Sequence, residues 1–226
     1  MEWSDVEKLD EIWLNLGGRG NCHPRTGYEN YVAVDLEPAA EGWAVKHDLR
    51  QPLPLADGAV SRILTEDFIE HVRPEELARL FAECYRVLKP GGHMRIACPD
   101  YNNPKDRHAF DNCEHDVRNP LHITRTDYPM MKTLVEATPF KDIRFYHYWD
   151  GDTFVQKPID YSLGPVKRTP DNDQRCRQDG LPRKLRVFVS DLVFKLRHPS
   201  GYNEAEFLAR KGHRLYITSL VVDLYR

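Results

Sequence analysis

A cluster of glycines directly after an apolar run constrains the fold of this chain more than any other feature. The run 12–16 is followed by Gly17, Gly18 and Gly20, and a second apolar run ends at Asp35. Glycine lets backbone amides approach a ligand closely. A carboxylate 18 positions after the first glycine can accept hydrogen bonds from ribose hydroxyls. The pattern therefore predicts an α/β fold with a nucleoside-binding site.

The segment between the two runs indicates which nucleoside cofactor fits. A dinucleotide site needs a helix whose N-terminus faces the pyrophosphate. Residues 21–30 contain Pro24 and Gly27, which both oppose a regular helix. S-adenosyl-L-methionine (SAM) carries a ribose and an adenine but no phosphate, so the segment favours SAM over NAD.

The rest of the chain alternates between strand and helix patterns, which predicts a mainly parallel sheet with helices on both faces. We predict strands over 12–16, 31–35, 44–47, 60–64, 93–98, 141–149 and 214–225, and helices over 74–88, 127–137 and 204–211. Pro74 suits a first helical position, and the run 89–92, Lys-Pro-Gly-Gly, ends that helix. We expect a single domain, residues 1–226, with an insertion at about 150–212 between the last two strands.

Four segments of the sequence resemble the class I SAM-dependent methyltransferases, of the methyltransferase type 11-like kind found with surface-glycan biosynthesis. They lie within residues 12–101 and read LNLGGRG with VAVDLEP, KHDLRQPLPLADGAVSRIL, EDFIEHV and ECYRVLKPGGHMRIACPDY. The resemblance implies a Rossmann-like, mostly parallel seven-stranded sheet whose last strand is antiparallel. It also implies SAM as cofactor and S-adenosylhomocysteine as product. Arg19 stands where many relatives carry Ser or Cys.

Ligands of such sheets bind at the carboxyl ends of the strands, and the resemblance places the cofactor there. The implied cofactor-binding residues are Leu16, Gly17, Gly18, Gly20, Asp35, Leu36, Asp48, Leu49, Glu66 and His71. Asp35 could instead cap its own turn, and Asp48 could belong to a surface turn.

Methyl transfer to a hydroxyl requires a group that accepts the hydroxyl proton. The catalytic candidates are His71, Asp100 and His115. His71 could equally hydrogen-bond to the backbone. The loop 111–116, with His122 nearby, is dense in titratable groups, but its spacing matches no established ligand pattern. We therefore predict no metal site.

The resemblance implies an O-methyltransferase that acts on a hydroxyl of a saccharide or glycan. A methyltransferase for a small metabolite or a nitrogen acceptor is one alternative. Another is a catalytically silent SAM-binding protein that partners a glycosyltransferase. A nicotinamide oxidoreductase fits the segment 21–30 less well.

Composition and charge bear on partners and location. The formal net charge is −3, which gives no global drive toward nucleic acid. No apolar run is long enough to span a membrane, and the N-terminus lacks a signal-peptide layout, so we expect a cytoplasmic protein. Within the insertion, Leu185, Phe188, Leu192 and Leu196 recur at helical spacing beside basic residues. That pattern fits either a helix packed on the sheet or a basic amphipathic helix at a membrane surface.

Overall fold

The computed structural model describes residues 1–103, 106–111, 113–117, 119–166 and 219–226, together with Leu185, Val189, Leu192, Val193 and Leu196. These residues form one eight-stranded sheet with helices and turns packed on it. The helices are α1 (Trp3–Val6), α2 (Pro74–Val87) and α3 (Tyr128–Glu136). The strands are β1 (Ile12–Leu16), β2 (Tyr31–Asp35), β3 (Ala44–Lys46), β4 (Val60–Glu66), β5 (Leu88–Pro99), β6 (Asp142–Asp150), β7 (Thr153–Gln156) and β8 (Ser219–Tyr225).

The order of the strands is β3-β2-β1-β4-β5-β8-β6-β7. Every pair from β3 to β5 is parallel, and β8 runs antiparallel to both β5 and β6. The predicted Rossmann-like class and the antiparallel last strand are thus confirmed. Because β1 lies between β2 and β4, the order reverses beside it, and a crevice opens there at the carboxyl ends of the strands.

The sheet has one strand more than the seven predicted. β7 pairs antiparallel with the end of β6, inside the segment that we expected to be an insertion. Gly151, with φ of 59°, sits in the turn that reverses the chain, and the left-handed conformation is one that glycine adopts at little cost. The β-branched and aromatic residues of β7 then pair with β6, and β7 forms an edge strand of the sheet.

The two longer helices begin where the sequence predicts. Pro74 occupies the first turn of α2, whose buried residues fall on one face. Asp127 caps α3 by accepting a hydrogen bond from the backbone of Met130 at 3.0 Å. The stretch 89–92 belongs to β5, which starts at Leu88 rather than at residue 93, because Leu88 already pairs with Val60 on β4.

The apolar core lies on the face of the sheet that carries the helices. It joins side chains of α1, α2 and α3 to alternate residues of the strands. On the opposite face, the described part of the chain covers the sheet with loops. Tyr28 packs on Tyr31 and Leu64, and the segment 159–166 packs on Ala97 and neighbouring residues.

The loop-covered face buries an ion pair between neighbouring strands. Arg95 and Asp223 are register partners on β5 and β8, and both are 0% exposed. Nε and Nη2 of Arg95 donate to the two carboxylate oxygens at 2.8 and 2.7 Å. Its Nη1 donates to the backbone carbonyls of Asp160 and Gly164, which ties the loop to the sheet.

The aromatic residues of β6 pack within the protein. Tyr148 stacks on Tyr128 of α3 with ring centroids 4.0 Å apart, Phe145 meets the same ring edge-on, and Trp149 is 1% exposed. These three aromatic side chains of β6 are therefore held by contacts within the protein.

Several sequence predictions fall beyond the described residues. The helix over 204–211 and the stretch 214–218 of the last strand lie there, as does Phe188. The five described residues between 185 and 196 are helical, and their side chains are exposed, from Val193 at 40% to Leu196 at 73%. Among the helices of the described ranges, none is long and apolar enough to cross a membrane.

Candidate functional site

Two cavities open at the carboxyl edge of the strands, beside the point where the strand order reverses. The first has a volume of about 330 Å³ and the second about 230 Å³. The first is lined by Asp35, Leu36, His47, Asp48, Leu49, Arg50, Phe68, His71, Val72, Arg73, Glu76, Leu80 and Ile123. The second is lined by Gly17, Gly18, Arg19, Asn21, Glu66, Asp67, Ala97 and Ser219.

The turn after β1 requires glycine at two positions. Gly17 has φ of 70°, and a Cβ there would lie 2.4 Å from the Phe68 ring. A Cβ on Gly18 would lie 2.7 Å from the side chain of Asn15. The chain therefore passes close to its neighbours here, and no helix forms between β1 and β2. Gly20, by contrast, has ordinary space around it.

Asp35 lies at the end of β2 and lines the first cavity. One of its carboxylate oxygens accepts a hydrogen bond from the backbone N–H of Glu37 at 2.9 Å. The turn that Asp35 caps fixes the carboxylate at the cavity wall. The capping role and a ribose-binding role are therefore compatible.

Asp48 also lines the first cavity, but its carboxylate already has a partner. Nε and Nη2 of Arg50 donate to it at 2.9 and 2.7 Å. The hydrogen bonds from Arg50 lower the pKa of Asp48 to about 2. Because the Asp48 carboxylate is already paired, the adjacent Leu49 is more available than Asp48 to contact a nucleobase in this cavity.

The second cavity carries charge of both signs on a strained backbone. Arg19 and Asp67 adopt positive φ, 46° and 53°, a conformation that costs non-glycine residues energy and that clusters at functional sites. Glu66 accepts a hydrogen bond from the Tyr28 hydroxyl at 2.5 Å. Burial and the Glu66 carboxylate together raise the pKa of Tyr28 well above its usual range.

His71 stands at the wall of the first cavity, where a short 3₁₀ turn, Ile69–His71, follows β4. Its Nδ1 lies 2.8 Å from the carbonyl oxygen of Leu121. A carbonyl only accepts hydrogen bonds, so Nδ1 carries the proton and Nε2 of the neutral ring carries a lone pair. Both sequence interpretations of His71 thus hold at once, since it bonds to the backbone and reaches the cavity.

Glu70, which precedes His71, is buried at 0% exposure. Neither of its carboxylate oxygens has a hydrogen-bond partner among the described residues, and burial raises the pKa of the carboxyl to about 7. Nε2 of His122 lies 4.0 Å from Oε1 of Glu70, and the rings of His71 and His122 meet edge-on with centroids 4.8 Å apart.

The other two catalytic candidates lie apart from both cavities. Asp100 is 1% exposed and accepts backbone hydrogen bonds from Trp149 at 2.7 Å and Asn102 at 3.0 Å. Burial raises the pKa of Asp100 to about 7. Nδ1 of His115 lies 3.2 Å from the carbonyl of Asp116. Neither side chain belongs to the lining of a cavity described above.

The structure brings eight of the ten predicted cofactor residues to the two cavities. The five at the first are Asp35, Leu36, Asp48, Leu49 and His71, and the three at the second are Gly17, Gly18 and Glu66. Leu16 is buried in the core behind them, and Gly20 lines neither cavity.

From the sequence, we assigned no site role to Phe68 or Glu70 and named His122 only beside the loop 111–116. Phe68 and Glu70 lie within EDFIEHV, the segment that contains the predicted site residues Glu66 and His71. Their closeness in sequence to those two residues could have indicated that they belong to the site. His122 reaches Glu70 from a loop more than fifty positions along the chain, and no local pattern links the two.

Comparison with known proteins agrees with this geometry. Residues 17–96, from the glycine turn through β5, match the family model described as a methyltransferase domain. This part of the chain is therefore similar to the methyltransferase domain of SAM-dependent enzymes. SAM is the cofactor of this family, and the matched segment contributes residues to both cavities.

A curated relative from Mycolicibacterium smegmatis, named as a probable S-adenosylmethionine-dependent methyltransferase, is 28% identical over 97 residues. The match covers 43% of this chain and 35% of the relative. The chain thus spans about a third of the length of that relative.

Solved structures of other methyltransferases share the fold. A SAM-dependent methyltransferase from Archaeoglobus fulgidus superposes with a TM-score of 0.55 at 16% identity, over 99% of this chain and 90% of that one. Phosphoethanolamine N-methyltransferase 2 from Haemonchus contortus, in complex with SAM, gives 0.53 at 14% identity, over 99% and 51%. At these identities the likeness establishes the fold of this chain alone.

Proposed function

We propose that this protein is a SAM-dependent O-methyltransferase that transfers the methyl group to a hydroxyl of a saccharide or glycan. The observation that carries the proposal is the pair of cavities at the carboxyl edge. Phe68 lines the first and Gly17 lines the second, and these two residues are close neighbours. One cavity is suited to a nucleoside and the other to a small zwitterion.

The first cavity fits the adenosine part of SAM. The Asp35 carboxylate is fixed at its wall and can accept hydrogen bonds from both ribose hydroxyls. Leu36, Leu49 and Val72 supply apolar surface for the adenine ring.

The second cavity fits the amino-acid end of SAM, which carries an ammonium and a carboxylate. Arg19 offers a cation, and Glu66 and Asp67 offer anions. Gly17 and Gly18 leave no room for a Cβ, so the backbone itself can approach the ligand. The charges of the cavity and of the ligand end are therefore complementary.

His71 supports a hydroxyl acceptor. Methyl transfer from a sulfonium needs alignment above all, but a hydroxyl must also lose its proton as the new bond forms. The lone pair on Nε2 of His71 lies at the cavity wall and can accept that proton, a contribution of typically about 10²- to 10⁴-fold in rate. A nitrogen acceptor, which already has a lone pair, would depend on His71 less.

The saccharide acceptor and a glycosyltransferase partner are parts of the proposal that rest on the resemblance of the sequence. The cytoplasmic location and the single domain over residues 1–226 rest on the sequence patterns described above. The near-neutral charge of the chain supports a small or uncharged acceptor over a nucleic acid.

Titration calorimetry with S-adenosylhomocysteine tests the cofactor site. Asp35→Ala should weaken binding by about 10- to 100-fold, because a hydrogen bond to a charged group contributes about 1.5–3 kcal/mol. Glu37→Gln removes a neighbouring exposed carboxylate and is the matched control, with binding unchanged. NADH should give no heat. Equal binding by wild type and Asp35→Ala would refute the placement of the ribose.

Labelled SAM and a panel of saccharides test the acceptor. We expect the wild type to transfer the methyl group to a sugar hydroxyl. In His71→Ala the rate of transfer should drop at least about 100-fold, while the binding of S-adenosylhomocysteine is retained. Transfer to amines alone would favour the N-methyltransferase alternative. Cofactor binding without turnover on any acceptor would favour the silent partner.

A further inference from the structure

The cluster of Glu70, His71 and His122 is not explained by the proposed function. Their ligand-type atoms all lie within 4.8 Å of one another. Glu70 and His71 come from the 3₁₀ turn after β4, and His122 comes from the loop between β5 and α3. Two separate segments therefore converge on one point beside the first cavity.

Contacts at Nδ1 orient the two imidazole rings. Nδ1 of His71 donates to the Leu121 carbonyl, which leaves a lone pair on Nε2. Nδ1 of His122 lies 2.6 Å from the Tyr101 hydroxyl, which also contacts Asp116 at 3.0 Å. Nε2 of His122 is therefore the ring nitrogen that faces Glu70, 4.0 Å from its Oε1.

Glu70 adds a third acceptor. Its carboxylate is 0% exposed, and both oxygens lack a hydrogen-bond donor within the described ranges. Leaving a buried carboxylate without a donor or a counter-ion is costly. A buried carboxyl and one nitrogen from each of two imidazoles therefore converge on one point, a donor set that a cation can bind.

We infer that Glu70, His71 and His122 form a binding site for a divalent first-row transition metal ion. Two nitrogen ligands and one carboxylate suit ions such as Zn²⁺, Mn²⁺, Fe²⁺ or Co²⁺ better than Mg²⁺ or Ca²⁺, which prefer oxygen. The inference goes beyond the proposed function and does not depend on it.

The distances are compatible with this assignment after a small adjustment. Metal–ligand bonds of about 2.0–2.2 Å place two neighbouring ligand atoms about 3–3.5 Å apart, and Oε1 of Glu70 now lies 4.0 Å from Nε2 of His122. Side-chain rotation can close that gap. The hydrogen bonds at Nδ1 of both rings are the outer contacts that orient metal-binding imidazoles, and His71 at the cavity wall provides a path for entry.

Occupancy would change the role of His71. A bound ion uses the Nε2 lone pair, so His71 would hold the ion instead of accepting the hydroxyl proton. An acceptor hydroxyl that contacts the ion would be acidified by it. The ion would also join the loop 121–124 to the turn after β4, two segments already bonded through the Glu70 carbonyl.

Visible absorption during Co²⁺ titration of the chelator-treated full chain tests the site. We expect one Co²⁺ per chain with ligand-field bands, displaced by Zn²⁺ and not by Mg²⁺. Glu70→Gln and His122→Gln should each weaken binding by at least about 10-fold. His108→Gln is the matched control, because His108 lies in the same loop region but pairs with Asp111 on the surface. It should bind Co²⁺ as the wild type does.

Thermal unfolding in chelator checks that each variant folds. Absence of saturable Co²⁺ binding by folded wild type would overturn the inference. So would equal losses in Glu70→Gln and His108→Gln, which would indicate adventitious binding to surface histidines. S-adenosylhomocysteine binding in chelator is measured separately, so failure of the metal site is distinguishable from failure of the cofactor site.

Discussion

On one face of the sheet, β5 and β8 present Ile96 and Val222 to a core shared with the helices, whereas on the other face the same strands present Arg95 and Asp223. Both pairs are fully buried. The two faces differ in what covers them, since helices lie over the first and an irregular segment lies over the second. Burial alone therefore does not explain the choice of side chains.

The irregular segment has carbonyl groups that need donors, and basic strand residues provide them. Side-chain nitrogens donate to backbone carbonyl oxygens at 2.6 to 2.9 Å. Arg62 donates to Ser162, His93 to Leu163, and Arg95 to both Asp160 and Gly164. A helix satisfies most of its own backbone groups, so the strands beneath it can be wholly apolar. A loop does not, and the sheet beneath this loop supplies the missing hydrogen bonds.

Removal of the counter-ion on the loop-covered face should have the largest effect. Asp223→Ala leaves the buried Arg95 guanidinium without a carboxylate, and we expect a loss of about 3–5 kcal/mol in the free energy of unfolding. Asp142→Ala breaks an exposed pair with Arg144 and should cost less than about 1 kcal/mol. Urea unfolding of the two variants measures the difference.

The double variant Arg95→Met/Asp223→Leu sharpens the comparison. Replacing a buried ion pair by apolar residues is often neutral or stabilising. Here it would also orphan the carbonyls of Asp160 and Gly164, so we expect the double variant to stay at least about 2 kcal/mol less stable than wild type. Wild-type stability would mean that the loop carbonyls do not need Arg95.

A smaller effect should come from Arg62, at the edge of the same face. Its guanidinium lies 4.0 Å from the Trp13 ring centroid, as that of Arg144 lies 4.5 Å from the Tyr225 ring, but Arg62 also donates to the Ser162 carbonyl. Arg62→Ala should therefore cost about 1 kcal/mol more than Arg144→Ala by urea unfolding. Equal costs would mean that the hydrogen bond to Ser162 contributes no more than the exposed pair of Arg144 with Asp142.

The smallest effect should be a dependence on pH that belongs to His93. Burial lowers its pKa from the ordinary 6.5, so below about pH 6.5 the unfolded chain binds a proton that the folded chain does not. Stability is therefore lost as pH falls from 7 toward 5. His93→Gln keeps a donor for the Leu163 carbonyl and removes this loss. The free energy of unfolding of the wild type minus that of the variant should therefore decrease as the pH decreases. A constant difference between pH 5 and 7.5 would contradict the buried neutral ring.

The elements that the sequence predicted correctly are those whose signal is local. β1, β2, β4 and α2 follow from apolar runs and from Pro74, and the glycine turn follows from its own residues. β7 escaped prediction because four residues carry little periodicity. The pairing of Arg95 with Asp223 escaped it because 128 positions separate the two residues and only the sheet brings them together.

The candidate site divides in the same way. Asp35 and Glu66 end β2 and β4, and His71 follows β4 by a short turn. The rule that ligands bind at the carboxyl ends of strands therefore predicted their place at the cavities. Asp100 also follows a strand, but its oxygens bond to backbone amides and face inward. That outcome depends on β6, whose Trp149 amide reaches it, and nothing near Asp100 in sequence reports this contact.

β8 lies between β5 and β6, although it is synthesised after both of them. Until residues 219–225 leave the ribosome, β5 and β6 each present an unpaired edge toward an open slot in the sheet. Arg95 likewise waits for Asp223. The nascent chain can therefore assemble the half that carries the two cavities early, while closure of the other half waits for residues 219–225.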